Sequence, residues 1–189
     1  MQLTSGGWIF LALLVVLVVG VTVLYNTLVR LRQQVRGAWA DIDVQLKRRA
    51  DLVGNLVETV KGYAAHEERT LTEVTRWRSA AATAPDPQAR TTAENGLTQA
   101  LRGLLAVSEA YPNLKADAGF IALQSELSQL ETDTLDARRY YNAVVRDYNT
   151  ALETFPSSLI ATLGGFRALP FVVLERETDR EPPRVSFNR

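Results

Sequence analysis

From Gly6 to Leu24 the chain carries no charged side chain, and its 21 basic and 21 acidic residues all follow that run. Trp8 to Leu24 reads W-I-F-L-A-L-L-V-V-L-V-V-G-V-T-V-L, which is apolar all round and leaves a helix no polar face for water. A helix rising about 1.5 Å per residue needs roughly 20 apolar residues to cross a hydrocarbon core of about 30 Å. Residues 6–25 meet that length, with Trp8 and Tyr25 near the ends, where aromatic rings favour headgroup depth. No Lys or Arg precedes the run, and Val21-Thr22-Val23 is a poor small-x-small cleavage site. An uncleaved anchor is therefore expected over a signal peptide.

The flanks set an expected orientation. Arg30, Arg32 and Arg36 follow the span before the first acid, Asp41. The positive-inside tendency places residues 1–5 outside, as a short extracytoplasmic N-terminus, and the long remainder in the cytoplasm. Arginine far outnumbers lysine, a bias of bacterial genomes rich in G and C. The expected location is a bacterial inner membrane, with the lipid bilayer as first partner.

Composition then removes chemistry. There is no cysteine, which excludes disulfides, thiolate metal sites and cysteine nucleophiles. His66 is the one histidine, so histidine clusters and relays are not available within a single chain. His66-Glu67 resembles the start of a zinc helix motif, but position 70 is Thr where a second histidine is needed. No metal and no cofactor are expected. A net charge of zero gives no electrostatic case for nucleic acid.

Periodicity predicts an all-α fold, an antiparallel four-helix bundle of three long helices and one short, preceded by the single transmembrane helix. From Tyr25 to about Ala80 there is no proline, and Trp39, Ile42, Leu46, Val53, Leu56, Val60, Tyr63, Val74 and Trp77 step by three and four. This reads as one helix continuous with the span, in which Gly37, Gly54 and Gly62 allow a neighbour close. After Pro85-Asp86-Pro87 a second helix runs to about Ala110, with Leu97, Leu101, Leu104, Ser108 and Tyr111 on one face. A third, about Asp117 to Thr154, repeats Phe120, Leu127, Thr134, Tyr141, Tyr148 and Phe155 every seven residues. Ser157 to Leu163 makes a short fourth helix, stopped by Gly164-Gly165. Phe171 to Leu174 is expected to lie extended on the bundle. The division is thus residues 1–5, span 6–25, bundle domain 26–174 and a flexible polar tail 175–189.

These strings resemble the LemA family of bacterial membrane proteins. The likeness rests on Ala38-Trp39, Ile42 to Arg49, Asp51-Leu52-Val53, Asn55 to Ala64 and His66-Glu67. It continues with Tyr111 to Ala116, Phe120, Leu123-Gln124, Arg139 to Asn142, Tyr148-Asn149 and Phe155-Pro156, covering nearly the whole chain. The resemblance implies an antiparallel four-helix bundle on one membrane anchor, with structural or assembly roles at bacterial membranes, magnetosome membranes among them. It brings no catalytic motif. Family members usually carry a proline near position 54, where this chain has glycine.

Several polar or aromatic positions stand out. Arg49 and Glu67 fall where the stripe calls for an apolar side chain, and a buried charge needs a partner or water. Lys47, Arg48 and Asp51 offer local pairing. Tyr141-Asn142 and Tyr148-Asn149 lie seven apart on one face, as hydrogen-bonded tyrosines at a bundle edge or as a docking stripe for a partner helix. With Trp39 and Asp43, these are the candidate interaction or helix-specificity positions. Neighbouring acids such as Asp41 and Asp43, or Glu67 and Glu68, do not face one another on a helix. The expected function is a non-enzymatic scaffold or interaction and assembly module, self-associating or docking another membrane protein. The alternatives are a ligand-sensing or regulatory membrane protein and, last, a carboxylate-dependent hydrolase.

Overall fold

A computed structural model describes residues 5–64, 66–84 and 87–172. Among these residues there are six helices and no strand: α1 (Ser5–Tyr63), α2 (Glu68–Thr83), α3 (Pro87–Ser108), α4 (Pro112–Lys115), α5 (Ala118–Glu153) and α6 (Ser157–Leu163). The all-α architecture headed by a long apolar helix is the one the sequence predicts. Pro85-Asp86, residues 173–174 of the expected extended segment and the polar tail lie outside the described residues. The chain divides into two compact units, residues 41–134 and residues 1–40 with 135–189.

In the unit of residues 41–134, the helix expected to run from Tyr25 to Ala80 is two helices. α1 runs unbroken through Gly54 and ends at Tyr63; α2 begins at Glu68. The Ala64 amide donates to Val60 O at 2.8 Å, and the Glu67 amide turns back to Ala64 O at 3.1 Å. Neither glycine nor proline lies between Tyr63 and Glu68, and Gly62 before them weakens the helix no more than Gly37 and Gly54, through which α1 continues, so the cause of the break is tertiary. Turning there lets Leu71 and Val74 join the core cluster that holds Val53, Leu56 and Val60. Burying a Leu or Val is worth about 1.5–3 kcal/mol, more than the roughly 1 kcal/mol net of each helical hydrogen bond given up.

The result is an up-down-up-down bundle of α1, α2, α3 and α5. Arg78 of α2 lies against Gly54 of α1, and Trp77 of α2 against Gly96 of α3. Tyr63 near the end of α1 meets Asp117 at the start of α5. Short connections make neighbours antiparallel, and α1 and α3 run parallel across the diagonal, Asp43 reaching Arg90 and Arg49 reaching Glu94. The bundle thus takes its fourth helix from α2, not from the short helix after Pro156.

α5 starts on a side-chain cap. Asp117 Oδ1 accepts the Phe120 amide at 2.8 Å and Oδ2 accepts the Tyr63 hydroxyl at 3.0 Å. The amide bond, then the tyrosine bond, hold the Asp117 carboxyl below its ordinary value, and the same carboxylate pushes the Tyr63 phenol up.

The other unit pairs α1 up to Ala40 with α5 from Leu135, antiparallel. Trp39 packs edge-on against Tyr141, ring centroids 5.5 Å apart. Leu28, Val35 and Ala38 are buried, as are Tyr141, Val145 and Tyr148. The seven-residue seam of α5 is buried from Phe120 to Tyr148 but not at its last expected member. α5 stops at Glu153, and Phe155 beyond it is 77% exposed.

Two predictions follow from this packing. A Cβ on Gly96 would come within 2.4 Å of the Trp77 ring, whereas one on Gly103 of the same helix meets nothing within 4 Å. Gly96→Ala should cost about 1–3 kcal/mol through overpacking, and Gly103→Ala should gain up to about 1 kcal/mol of helix propensity, read by denaturant unfolding of the full chain in detergent. Equal effects of the two would refute the close contact. For Asp117, a lowered folded pKa means stabilisation that is complete above the ordinary carboxylate value and lost as pH falls through the lowered one. Thermal midpoints between about pH 6 and pH 2 should fall less steeply in Asp117→Asn than in the natural chain.

Candidate functional site

Arg49 lies on the α1 stripe between Leu46 and Val53, one helical step from each, and is 6% exposed. Its Nη1 donates to Glu94 Oε2 at 3.1 Å, and its Nη2 donates to Thr98 Oγ1 at 3.0 Å and Glu131 Oε1 at 3.1 Å. One guanidinium therefore ties α1 to α3 and α5. The two ion pairs differ in weight. Glu94 is buried with Arg49, whereas the Glu131 side chain is 56% exposed, where solvent screens most of the attraction. The local partner suggested by sequence, Asp51, takes no part in these bonds. Arg49 Nε finds no acceptor among the described residues.

The other charged candidates sit nearby in the same unit. Asp43 Oδ1 accepts from Arg90 Nη1 at 2.6 Å, both half-buried. Glu67 stands in the turn before α2, off any helical stripe, and accepts the Tyr111 hydroxyl at 3.1 Å. That bond, with burial, raises the Tyr111 phenol. Asp43 and Arg49 thus both engage α3, Arg49 reaching α5 as well, while Glu67 engages the loop before α4. An open groove of about 750 Å³ between α1 and α2 is lined by Glu58, Lys61, Glu68 and Arg76 among others. Among the described residues no group of three or more His, Asp or Glu is placed to hold a metal ion.

The Tyr-Asn pairs of α5 belong to the other unit and act together. After α6 the chain makes a Schellman turn: Gly165 takes φ +68°, and the Phe166 amide donates back to Ala161 O at 3.0 Å. Residues 166–172 then run without helix along α5. Asn149 accepts the Leu169 amide at 3.0 Å and donates to Leu169 O at 2.9 Å. Asn142 does the same with Val172, at 2.9 and 2.8 Å. The Tyr148 hydroxyl donates to Arg167 O and the Tyr141 hydroxyl to Pro170 O, each at 3.2 Å. Burial raises both phenols.

The register has a simple origin. Seven residues of helix advance about 10.5 Å at 1.5 Å each, and three extended residues span about 10 Å. A heptad of Tyr-Asn therefore meets every third residue of an extended strap. Pro170 helps, since it biases Leu169 away from helix and has no amide to satisfy. The stripe that sequence offered as a partner's docking face is occupied by the chain's own strap, and Trp39 packs behind it on Tyr141.

Sequence reasoning missed Glu94, and the signal was available. Glu94, Leu97, Leu101, Leu104 and Ser108 step by three and four, so an acid stands on the α3 stripe just as Arg49 stands on that of α1. Arg32 was also missed. Its guanidinium lies 5.0 Å from the centre of the Phe166 ring, a contact across 134 positions that no local pattern announces.

The profile of the LemA family matches residues 38–187. Protein LemA of Metamycoplasma hominis is 26% identical over 137 residues, 72% of this chain and 63% of that protein. Magnetosome protein MamQ 2 of Paramagnetospirillum magneticum is 24% identical over 169 residues, 76% of this chain and 62% of its own. Magnetosome protein MamQ of Magnetospirillum gryphiswaldense is 23% identical over 173 residues, 78% and 64% respectively. The chain thus spans less than two thirds of the length of these relatives.

Arg49→Met takes the guanidinium away from buried Glu94 and should cost about 3–5 kcal/mol, whereas the double change Arg49→Met with Glu94→Leu should recover most of it. Denaturant unfolding decides, and a double variant no better than the single would show the pair is not a unit. Asn149→Ala removes both bonds to Leu169 and should speed exchange of that amide about tenfold or more. Asn149→Asp keeps the acceptor and should protect it better than Ala does, with Val172 little changed in either.

Proposed function

Since the chain belongs to the LemA family, we propose that it is a single-pass, membrane-anchored helical scaffold of the bacterial inner membrane, an interaction or assembly module rather than an enzyme. The observation that carries this is the continuity of α1. Its apolar part has a mean hydropathy of 2.8 and is not buried by the protein, and with no break it becomes the helix in which Leu28, Val35 and Ala38 are buried. An apolar surface of that size needs a bilayer or a partner to cover it. No flexible linker separates it from the packed domain, so a load or a lateral contact on one is felt by the other.

The polar inventory supports a structural use. Arg49, Asp43 and Glu67 join helices, while Tyr141, Asn142, Tyr148 and Asn149 hold the strap. We read these as specificity positions of the 26–174 domain, with residues 6–25 as anchor. Self-association, or docking of another membrane protein, uses the faces these contacts leave open. The arginines after the span favour an N-terminus outside and the bundle in the cytoplasm; zero net charge favours no nucleic acid.

The test is light scattering of the full-length protein in mild detergent, with cross-linking in native membranes. An oligomer or a captured membrane protein supports the scaffold; a strict monomer with no cross-linked partner sinks it. Because the chain has no cysteine, Ser5→Cys and Ser186→Cys give clean topology probes. An impermeant thiol reagent on intact cells should label position 5 alone.

A further inference from the structure

The short helix α6 buries Ala161 and turns Leu159 and Leu163, four residues apart on one face, outward. Leu159 is 57% exposed, Leu163 86% and Phe155 77%. A cluster this apolar and this exposed, on the unit formed by residues 1–40 and 135–189, calls for a cover. Its place says which. The Schellman turn returns the chain to Phe166, whose ring meets Tyr25 edge-on at 5.6 Å between centroids. Tyr25 closes the apolar run. Leu163 is three residues from Phe166, so at most about 11 Å of chain separates them. Burial of α1 by the protein begins at Leu28, one turn past the run, while residues 8–23 are all exposed. Leu163 therefore stands within about 11 Å of the contact that marks the end of the span, with Leu159 one helical turn from it. Arg30, about 7 Å along α1 from Tyr25, and Arg167, next to Phe166, are exposed in the same unit, suited to headgroup phosphates at that depth.

We infer that Phe155, Leu159 and Leu163 insert into the interfacial layer of the same bilayer that α1 crosses, making α6 a second, monotopic foot beside the anchor. This rests on the membrane-anchor reading. Apolar side chains at the headgroup–acyl boundary gain by leaving water. Two points of attachment would hold the unit at a fixed angle to the membrane plane, where one helix alone leaves it free to tilt.

The experiment uses full-length protein carrying single cysteines, Leu159→Cys, Leu163→Cys, Val15→Cys or Arg139→Cys, each labelled with an environment-sensitive fluorophore. Arg139 is exposed and near Tyr141, which packs on Trp39, fourteen helical residues or about 21 Å beyond Tyr25. The proteins are reconstituted in vesicles of phosphatidylcholine and phosphatidylglycerol, with or without bromine on the acyl chains. Brominated lipid should quench positions 159 and 163 at least twofold, position 15 as strongly, and position 139 not at all. If 15 is quenched and 159 and 163 behave like 139, the anchor stands and the foot is refuted. If 15 is not quenched, the anchor reading falls and the foot with it. A blue shift at 159 and 163 that bromine leaves untouched, and that disappears on diluting protein in the vesicle, would assign the face to a second copy and overturn the proposal.

Discussion

A guanidinium cannot stay in an apolar helical core unless carboxylates come to it. Arg49 is placed on the buried stripe of α1, so α3 must present Glu94 and α5 must present Glu131 at the same level. Hydrophobic stripes are tolerant of sliding, because one leucine replaces another at similar cost. The buried ion pair is not tolerant: slide α3 by one turn and Glu94 leaves the guanidinium, which keeps only the largely exposed Glu131 while its buried Nη1 loses its acceptor. The pair adds little net stability over an apolar equivalent, but it penalises every other register. That is the sense in which the packing of residues 41–134 depends on it.

Much of this was legible. Stripes of three-and-four spacing located the buried faces of α1, α3 and α5, and the charged outliers on them were visible as outliers. The turn at residues 64–67 was not, because nothing in Ala64-Ala65-His66-Glu67 forbids helix. Gly62 lowers propensity just before it, but Gly37 and Gly54 do the same inside α1 and the helix continues through both. The turn is imposed by what Leu71 and Val74 gain on folding back, which is a property of the tertiary structure. The strap was half legible. Its extended character shows in the apolar, proline-flanked residues, and the Tyr-Asn heptad shows in α5. Matching the two required knowing that three extended residues equal seven helical ones, and that α6 reverses the chain between them.

Asparagine is the side chain suited to that match. A segment without helix or sheet leaves its amides and carbonyls to be satisfied one by one. The Asn amide offers a donor and an acceptor with peptide-like spacing, so a single residue satisfies both groups of one strap residue, as Asn149 does for Leu169. Aspartate would present two acceptors to a carbonyl and an amide. Tyrosine supplies only a donor here, and its targets are accordingly lone carbonyls, one of them on Pro170.

The polar outliers and the apolar outliers of this chain thus separate. Charges and amides that break the stripes find partners within their own unit. Phe155, Leu159 and Leu163 find none there, although Phe155 occupies a seam position by sequence. Had α5 continued one more turn, Phe155 would fall on the face that buries Tyr148. The chain instead ends the helix at Glu153, turns through Pro156, and leaves Phe155, Leu159 and Leu163 outward before Phe166 returns to Tyr25. A soluble domain gains nothing by this, since each exposed leucine forgoes about 1.5–3 kcal/mol of burial. A domain whose first helix emerges from a bilayer has a second apolar solvent within reach at that end, and there the same residues recover what the core does not offer them.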